Sequence, residues 1–160
     1  MEDNLYKIGI IVCQDKTDVP GQENASGRIT KEFAEKLGCQ IVKYEIVPNE
    51  KCLIASDIRD WSDIAELDLI FTVGGSGLSD TDCVPEATRE SVDRLCPGIP
   101  EYIRWNMFKK DKLCSLSRIT AGLRKKTLVI NIPSDEMSVK ETLEILASIL
   151  PDALNMLKKR

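Results

Sequence analysis

Histidine is absent from all 160 residues, and the six cysteines never occur as a Cys-x-x-Cys pair. The first absence excludes Ser-His-Asp and Cys-His catalysis; the two together argue against a zinc site. Also missing is any apolar run near the roughly 20 residues that cross a bilayer. Met1-Glu2-Asp3-Asn4 has no leader character, so a cytoplasmic chain with no membrane association is expected. Nor is there an excess of positive charge: 22 Lys and Arg stand against 26 Asp and Glu, a net charge of −4. Nucleic acid and anionic membranes are thereby excluded as partners. Arg124-Lys125-Lys126 reads as a turn between strands, and Lys158-Lys159-Arg160 as a solvated tail. The cysteines at 13, 39, 52, 83, 96 and 114 are scattered singly and read as small buried hydrophobes. Cys83 has no Lys, Arg or His in its own loop to activate it, so it too reads as a structural thiol. Chemistry is left to carboxylates, hydroxyls, backbone amides or a metal.

What is present is an alternation of strands and helices. Leu5–Cys13 is a nearly continuous apolar run, the signature of a strand buried on both faces. A polar stretch, Gln14–Gly27, precedes a helix marked by Ile29, Phe33 and Leu37 and ended by Gly38. Gln40–Val47 is a second strand closed by Pro48, and Leu53, Ile54, Ile58 and Trp61 mark a second helix. Leu67–Val73 is a third strand, running straight into glycines. Pro85 suits the start of a helix with Val92 and Leu95 on its inner face. A short helix over Ile99–Phe108, a strand over Thr127–Ile132 and a long final helix over Met137–Leu150 complete the chain. The pattern predicts one α/β domain over residues 1–160, a mostly parallel sheet with helices on both faces. Ligands in such folds sit beyond the carboxyl ends of the strands. The loops Gln14–Gly27, Pro48–Lys51, Gly74–Val84 and Pro133–Glu136 are therefore the candidate site.

Gly74-Gly75-Ser76-Gly77 is neither a Walker loop nor a dinucleotide fingerprint, because no lysine follows it and no helix opens on its last glycine. Glycine clusters after strands are as often tight turns as ligand cradles. Successive amides can still form an anion-binding nest, and Ser76 adds a hydroxyl. Yet the loop carries Asp80 and Asp82 and no cation. A divalent ion bridging the carboxylates to a phosphate would reconcile the two.

The segments GGSGLSDTDCVPEATRE, PGIPEYIRW, LSRITAGLRKKTLVINIP and SVKETLE, in this order and spacing, resemble the molybdopterin-binding domain of MogA/MoaB-type adenylyltransferases and the gephyrin G domain. The match runs from Ile8 to about Leu157. It implies a three-layer α/β/α domain that assembles as a homotrimer. It further implies transfer of AMP from ATP, with Mg²⁺, to the terminal phosphate of molybdopterin, and no zinc, haem or flavin. Other enzymes of molybdenum cofactor biosynthesis would be its partners. Residue by residue, the resemblance implies substrate binding at Gly74, Gly75, Ser76 and Gly77, and at Asp15, Ser26, Gly27, Ser117, Arg118, Pro133 and Ser134. Asp82 falls on the family's loop aspartate, a catalytic and metal-binding position, and Asn49 stands where a second carboxylate is usual. Taken singly, Asp15 is a strand-end turn residue, Ser117-Arg118 a strand start, and Ser134 or Asp135 an N-cap.

Several positions depart from the family. Asn49 and Asn24 replace acids, Thr81 replaces a loop arginine, and Ser134-Asp135-Glu136 replaces a neutral turn. Restoring a carboxylate with Asn49→Asp is expected to raise transfer. Two readings stay open: an adenylyltransferase with a weakened metal site, helped by Asp80 or Asp135, and a non-catalytic molybdopterin-binding homologue or trimeric scaffold. A generic nucleotide-binding protein would explain the loop but not the matched segments.

Overall fold

The computed structural model describes residues 5–15 and 24–159. Much of the polar stretch expected over Gln14–Gly27 lies outside the described residues. Six strands form one sheet: β1 (Lys7–Gln14), β2 (Gln40–Pro48), β3 (Leu69–Val73), β4 (Arg94–Leu95), β5 (Ala121–Arg124) and β6 (Thr127–Ile132). Their order is β2-β1-β3-β6-β5-β4; β2, β1, β3 and β6 pair in parallel, while β5 and β4 join antiparallel at one edge.

The two-residue period of a strand divides the core in two. Ile8, Ile10 and Val12 of β1, Leu69, Phe71 and Val73 of β3, and Leu128, Ile130 and Ile132 of β6 face one way. They are covered by α1 (Ala25–Lys36), α4 (Gly98–Phe108), α5 (Glu136–Ala147) and α6 (Leu150–Lys158). Ile11, Cys13, Ile70 and Val129 face the other way, against α2 (Lys51–Asp63) and α3 (Val84–Ser91). This is the expected three-layer α/β/α arrangement, and it explains why the central strands read as unbroken apolar runs.

Three local expectations differ. α3 stops at Ser91, and Val92 is extended with φ −89° and ψ 151°. The chain turns there into β4, so Leu95 lies on an edge strand and is 53% exposed rather than on the inner face of a helix. β4 has only two residues, too few for an alternation to show in the sequence. The helix expected over Met137–Leu150 ends at Ala147, and a further helix over Leu150–Lys158, not expected from the sequence, follows it. Pro151 has no N–H for a continuing turn and its ring collides with the carbonyl four residues back, so α5 ends and α6 restarts with Pro151 in its first turn. Finally, Ser26 and Gly27 lie inside α1, whose N-cap is Asn24, rather than in the preceding loop.

Register aligns the carboxyl ends of the parallel strands. Val12 pairs with Val73, Val73 with Ile132, and Gln14 with Pro48. Asp15, Asn49, Gly74 and Pro133 consequently leave the sheet along one edge. From β1 the chain passes to β2 on one side and then to β3 on the other, so the loops after β1 and β3 flank the point where the winding reverses.

Candidate functional site

A cleft of about 900 Å³ opens along this edge. Its polar half is lined by Asp15, Ser26, Gly74 to Gly77, Asp82, Pro133, Ser134 and Asp135. The other half is built from α4 and the 3-10 helix over Lys112–Leu116, and presents Ile103, Arg104, Met107, Lys110, Leu113 and Leu116.

The glycine loop is held open by backbone conformation. Gly74 and Gly75 have φ of 93° and 65°, left-handed values that a side chain disfavours. A Cβ on Gly75 would also lie 2.6 Å from Asn49 Oδ1 and 2.5 Å from Val84 Cγ2. The Gly74 amide donates to the Ile132 carbonyl at 3.0 Å, fixing the loop to β6, and the Gly75 carbonyl accepts from Val84 N at 3.0 Å, fixing it to α3. The amides of Gly75, Ser76 and Gly77 donate to no group among the described residues.

Arg118 sits behind the loop and does not line the cleft. Its Nε donates to the Gly77 carbonyl and its Nη2 to the Asp82 carbonyl, each at 2.7 Å, while Nη1 pairs with Glu86. Its backbone amide donates to the Ser76 carbonyl at 2.9 Å. One residue thus grips both ends of the Gly77–Asp82 turn. Burial is the largest single influence on the Glu86 carboxyl and would raise it; the Arg118 hydrogen bond, a backbone hydrogen bond and the charges of Arg118 and Arg89 together outweigh burial and hold the group below the usual carboxylate range. Glu86 Oε2 is buried without a hydrogen-bond partner among the described residues, so the carboxylate is held through Oε1 alone, which Arg118 and, at 3.8 Å, Arg89 both face.

Asn49 also stands outside the cleft wall. Its Nδ2 donates to the Thr81 carbonyl at 2.8 Å and to Asp15 Oδ1 at 3.3 Å, and its Oδ1 faces the Cys83 thiol at 3.4 Å. The carbonyl of Thr81 can only accept, so the NH₂ group must be the part that meets it. The amide oxygen, at the position where a second carboxylate is usual, is therefore turned toward Cys83. Gly27 is likewise absent from the lining: its Cα packs on Val12 and Tyr44, leaving no room for a Cβ. Asp82 Oδ2 accepts from Ser79 N at 3.1 Å and crowds Gly77, where a Cβ would sit 2.8 Å away. Ser26 Oγ donates to the Ser134 carbonyl, joining the starts of α1 and α5, and Asp135 caps α5 by accepting from Ser138 N at 2.9 Å. Burial pushes the Cys83 thiol up, and Glu86 and Asp82 add to it; Cys13 is raised by burial in the same way. Neither thiol is poised as a nucleophile.

The donor set bears on metal binding. Among the described residues no three His, Cys, Asp or Glu groups come together as a cage. Asp15 and Asp82 nevertheless both line the cleft. Two hard carboxylates fit Mg²⁺ that arrives on a polyphosphate, the usual mode for an ion that keeps its waters and substrate oxygens.

Sequence reasoning misses Arg104, although it stands in PGIPEYIRW beside the apolar Ile99, Ile103, Met107 stripe that fixes the inner side of α4. Helical phase alone places it at the border of that buried stripe.

Residues 9–152 match the family described as "Probable molybdopterin binding domain". The molybdenum cofactor synthesis protein cinnamon of Drosophila melanogaster is 33% identical over 150 residues, covering 93% of this chain but 25% of that longer protein. The molybdopterin adenylyltransferase of Helicobacter pylori (strain J99) is 32% identical over 152 residues, covering 94% of this chain and 86% of its own. Among solved structures, the molybdopterin biosynthesis enzyme MoaB of Thermus thermophilus superposes with a TM-score of 0.89 at 35% identity, covering 98% of each chain.

Proposed function

Because the chain belongs to the molybdopterin-binding domain family, we propose that it is a molybdopterin adenylyltransferase of molybdenum cofactor biosynthesis, acting as one domain over residues 1–160. In this reaction a phosphate oxygen of molybdopterin attacks the α-phosphorus of ATP. The bond from that phosphorus to the bridging oxygen breaks, AMP joins the pterin phosphate, and pyrophosphate leaves. A phosphate monoester is largely dianionic at neutral pH, so its oxygen needs no base to remove a proton. A chain without histidine is suited to such a step.

The observation that carries the reading is the glycine loop, whose Gly75, Ser76 and Gly77 amides face no protein acceptor among the described residues while lining the cleft. They are the donors for a phosphoryl oxygen, stabilising charge as the transition state spreads it. Ser117, Ser26, Pro133 and Ser134 shape the pterin side. Asp15 and Asp82 would hold Mg²⁺, which when bound offsets the charge of the ATP phosphates. Asn49 and Arg118 serve as positioning residues: Asn49 steadies Asp15 and the Thr81 carbonyl, and Arg118 fixes the Gly77–Asp82 turn. We further assign the protein to the cytoplasm and to a homotrimer. Exposed apolar side chains on α4 and the 3-10 helix, Trp105, Phe108, Leu113 and Leu116, supply surface for such an assembly.

The test is pyrophosphate release from ATP at saturating Mg²⁺, with and without molybdopterin, in the parent and in Asp82→Ala. Pterin-dependent release that Asp82→Ala lowers at least tenfold is expected. A parent that binds molybdopterin and releases none supports the binding-only alternative.

A further inference from the structure

The glycine loop carries no positive charge of its own, and the arginine nearest to it, Arg118, is committed to the loop's rear face. Among the described residues only two cations line the cleft. Lys110 is paired with Glu141 at 3.2 Å. The other, Arg104, is partly buried, donates one N–H from Nη1 to the Ile119 carbonyl at 3.2 Å, and has no carboxylate within ion-pair distance among the described residues. That bond orients the planar guanidinium and leaves further N–H groups for a ligand.

Arg104 is also tied to the loop through a short bridge. The Arg118 amide holds the Ser76 carbonyl, and the next residue, Ile119, supplies the carbonyl that accepts from Arg104. We propose that Arg104 is the anchor for the phosphate monoester of the pterin substrate, gripping it from the side opposite the glycine amides. The proposal rests on the adenylyltransferase reading and adds the specificity-determining charge that reading lacks. Two anions must meet in one cleft whose polar half bears Asp15 and Asp82. The ATP phosphates arrive shielded by Mg²⁺ and tolerate those carboxylates. The pterin phosphate has no such shield, so its charge requires a protein cation. A guanidinium is the side chain best suited to phosphate, since it offers paired, charge-assisted donors.

Direct binding decides the matter without depending on turnover. Molybdopterin and its dephosphorylated form are titrated anaerobically, by pterin fluorescence, into the parent, Arg104→Gln and Arg104→Lys, with Mg-ATP binding measured alongside. Arg104→Gln keeps an N–H for the Ile119 carbonyl, so a purely structural role would leave the comparison unchanged. The parent should prefer the phosphorylated form by roughly tenfold to a hundredfold, as expected for charge-assisted hydrogen bonds. Arg104→Gln should remove most of that preference, leaving only what the glycine amides supply, with Mg-ATP binding within about twofold of the parent, and Arg104→Lys should recover part of it. The assignment of Arg104 fails, with the adenylyltransferase reading intact, if Arg104→Gln keeps the parent's preference or Arg104→Lys recovers none. It also fails if the parent binds both forms equally. A parent that binds neither form overturns the assignment and the reading together.

Discussion

Gly75 shows how a single residue is constrained from two directions. Its left-handed φ of 65° disfavours any β-branched side chain, and Asn49 and Val84 occupy the space a Cβ would need. Gly75→Val should lower pterin affinity at least tenfold and cost about 1–3 kcal/mol of stability from backbone strain, measured by fluorescence titration and by denaturant melts. That the glycines form a loop beyond a strand was legible in the sequence. The direction of the Asn49 amide was not, because it depends on the Thr81 carbonyl reached across the fold. As a sequence, Asn49 is a lost charge; in the structure it is a hydrogen-bond donor to Asp15 and Thr81. Asn49→Asp would set a carboxylate against two acceptors, so the expected gain reverses. Transfer should fall several-fold, read as an initial rate at saturating Mg²⁺. Away from the site, Asp63 receives two hydrogen bonds from Arg124 and is also paired with Lys125; the hydrogen bonds lower its carboxyl to about 2. A carboxyl depressed in the folded state adds stability above its unfolded value, near 3.9, and loses it as pH falls. The difference in Tm between parent and Asp63→Asn should be full at neutral pH and close between about pH 4 and pH 2.

Among the elements, β3, β6, α3 and the segment before β5 are fastened under the site by one buried amide. Asn131 donates to the Thr72 and Thr88 hydroxyls, both at 2.8 Å, and accepts from Thr120 N at 3.0 Å. Thr72 lies on β3 just ahead of the glycine loop and Thr120 follows Ile119, so this network sets the spacing of the two sides of the cleft. Asn131→Leu would strand an amide and two hydroxyls in the core. It should cost about 3 kcal/mol, measured by urea unfolding. The polar interruption in TLVINI is visible in the sequence, but its three partners come from distant segments and leave no local signal. Arg118 acts on the same loop from behind. Arg118→Ala should speed hydrogen exchange at the Gly77–Asp82 amides while leaving the β-sheet amides protected. The expected end of the final helix at Leu150 lies close to the observed break, but α6 was readable in principle from Pro151, which suits a first helical turn, and from Leu150, Leu154 and Leu157 at helical spacing behind it.

For the whole molecule, the strand–helix alternation was enough to expect three layers and to place the site at the carboxyl ends of the strands. The antiparallel β4–β5 edge escaped because β4 is two exposed residues long. Proposed assembly is checked by light scattering: a mass three times that of one chain is expected, and Trp105→Glu should reduce it. AMP transfer itself is followed by supplying molybdopterin with ATP radiolabelled at its α-phosphate, in parallel with ATP labelled at its γ-phosphate. An adenylyltransferase should place α-label in the pterin product, with γ-label appearing only in pyrophosphate. γ-Label in the pterin, or no α-label there from a protein that binds both substrates, would contradict it.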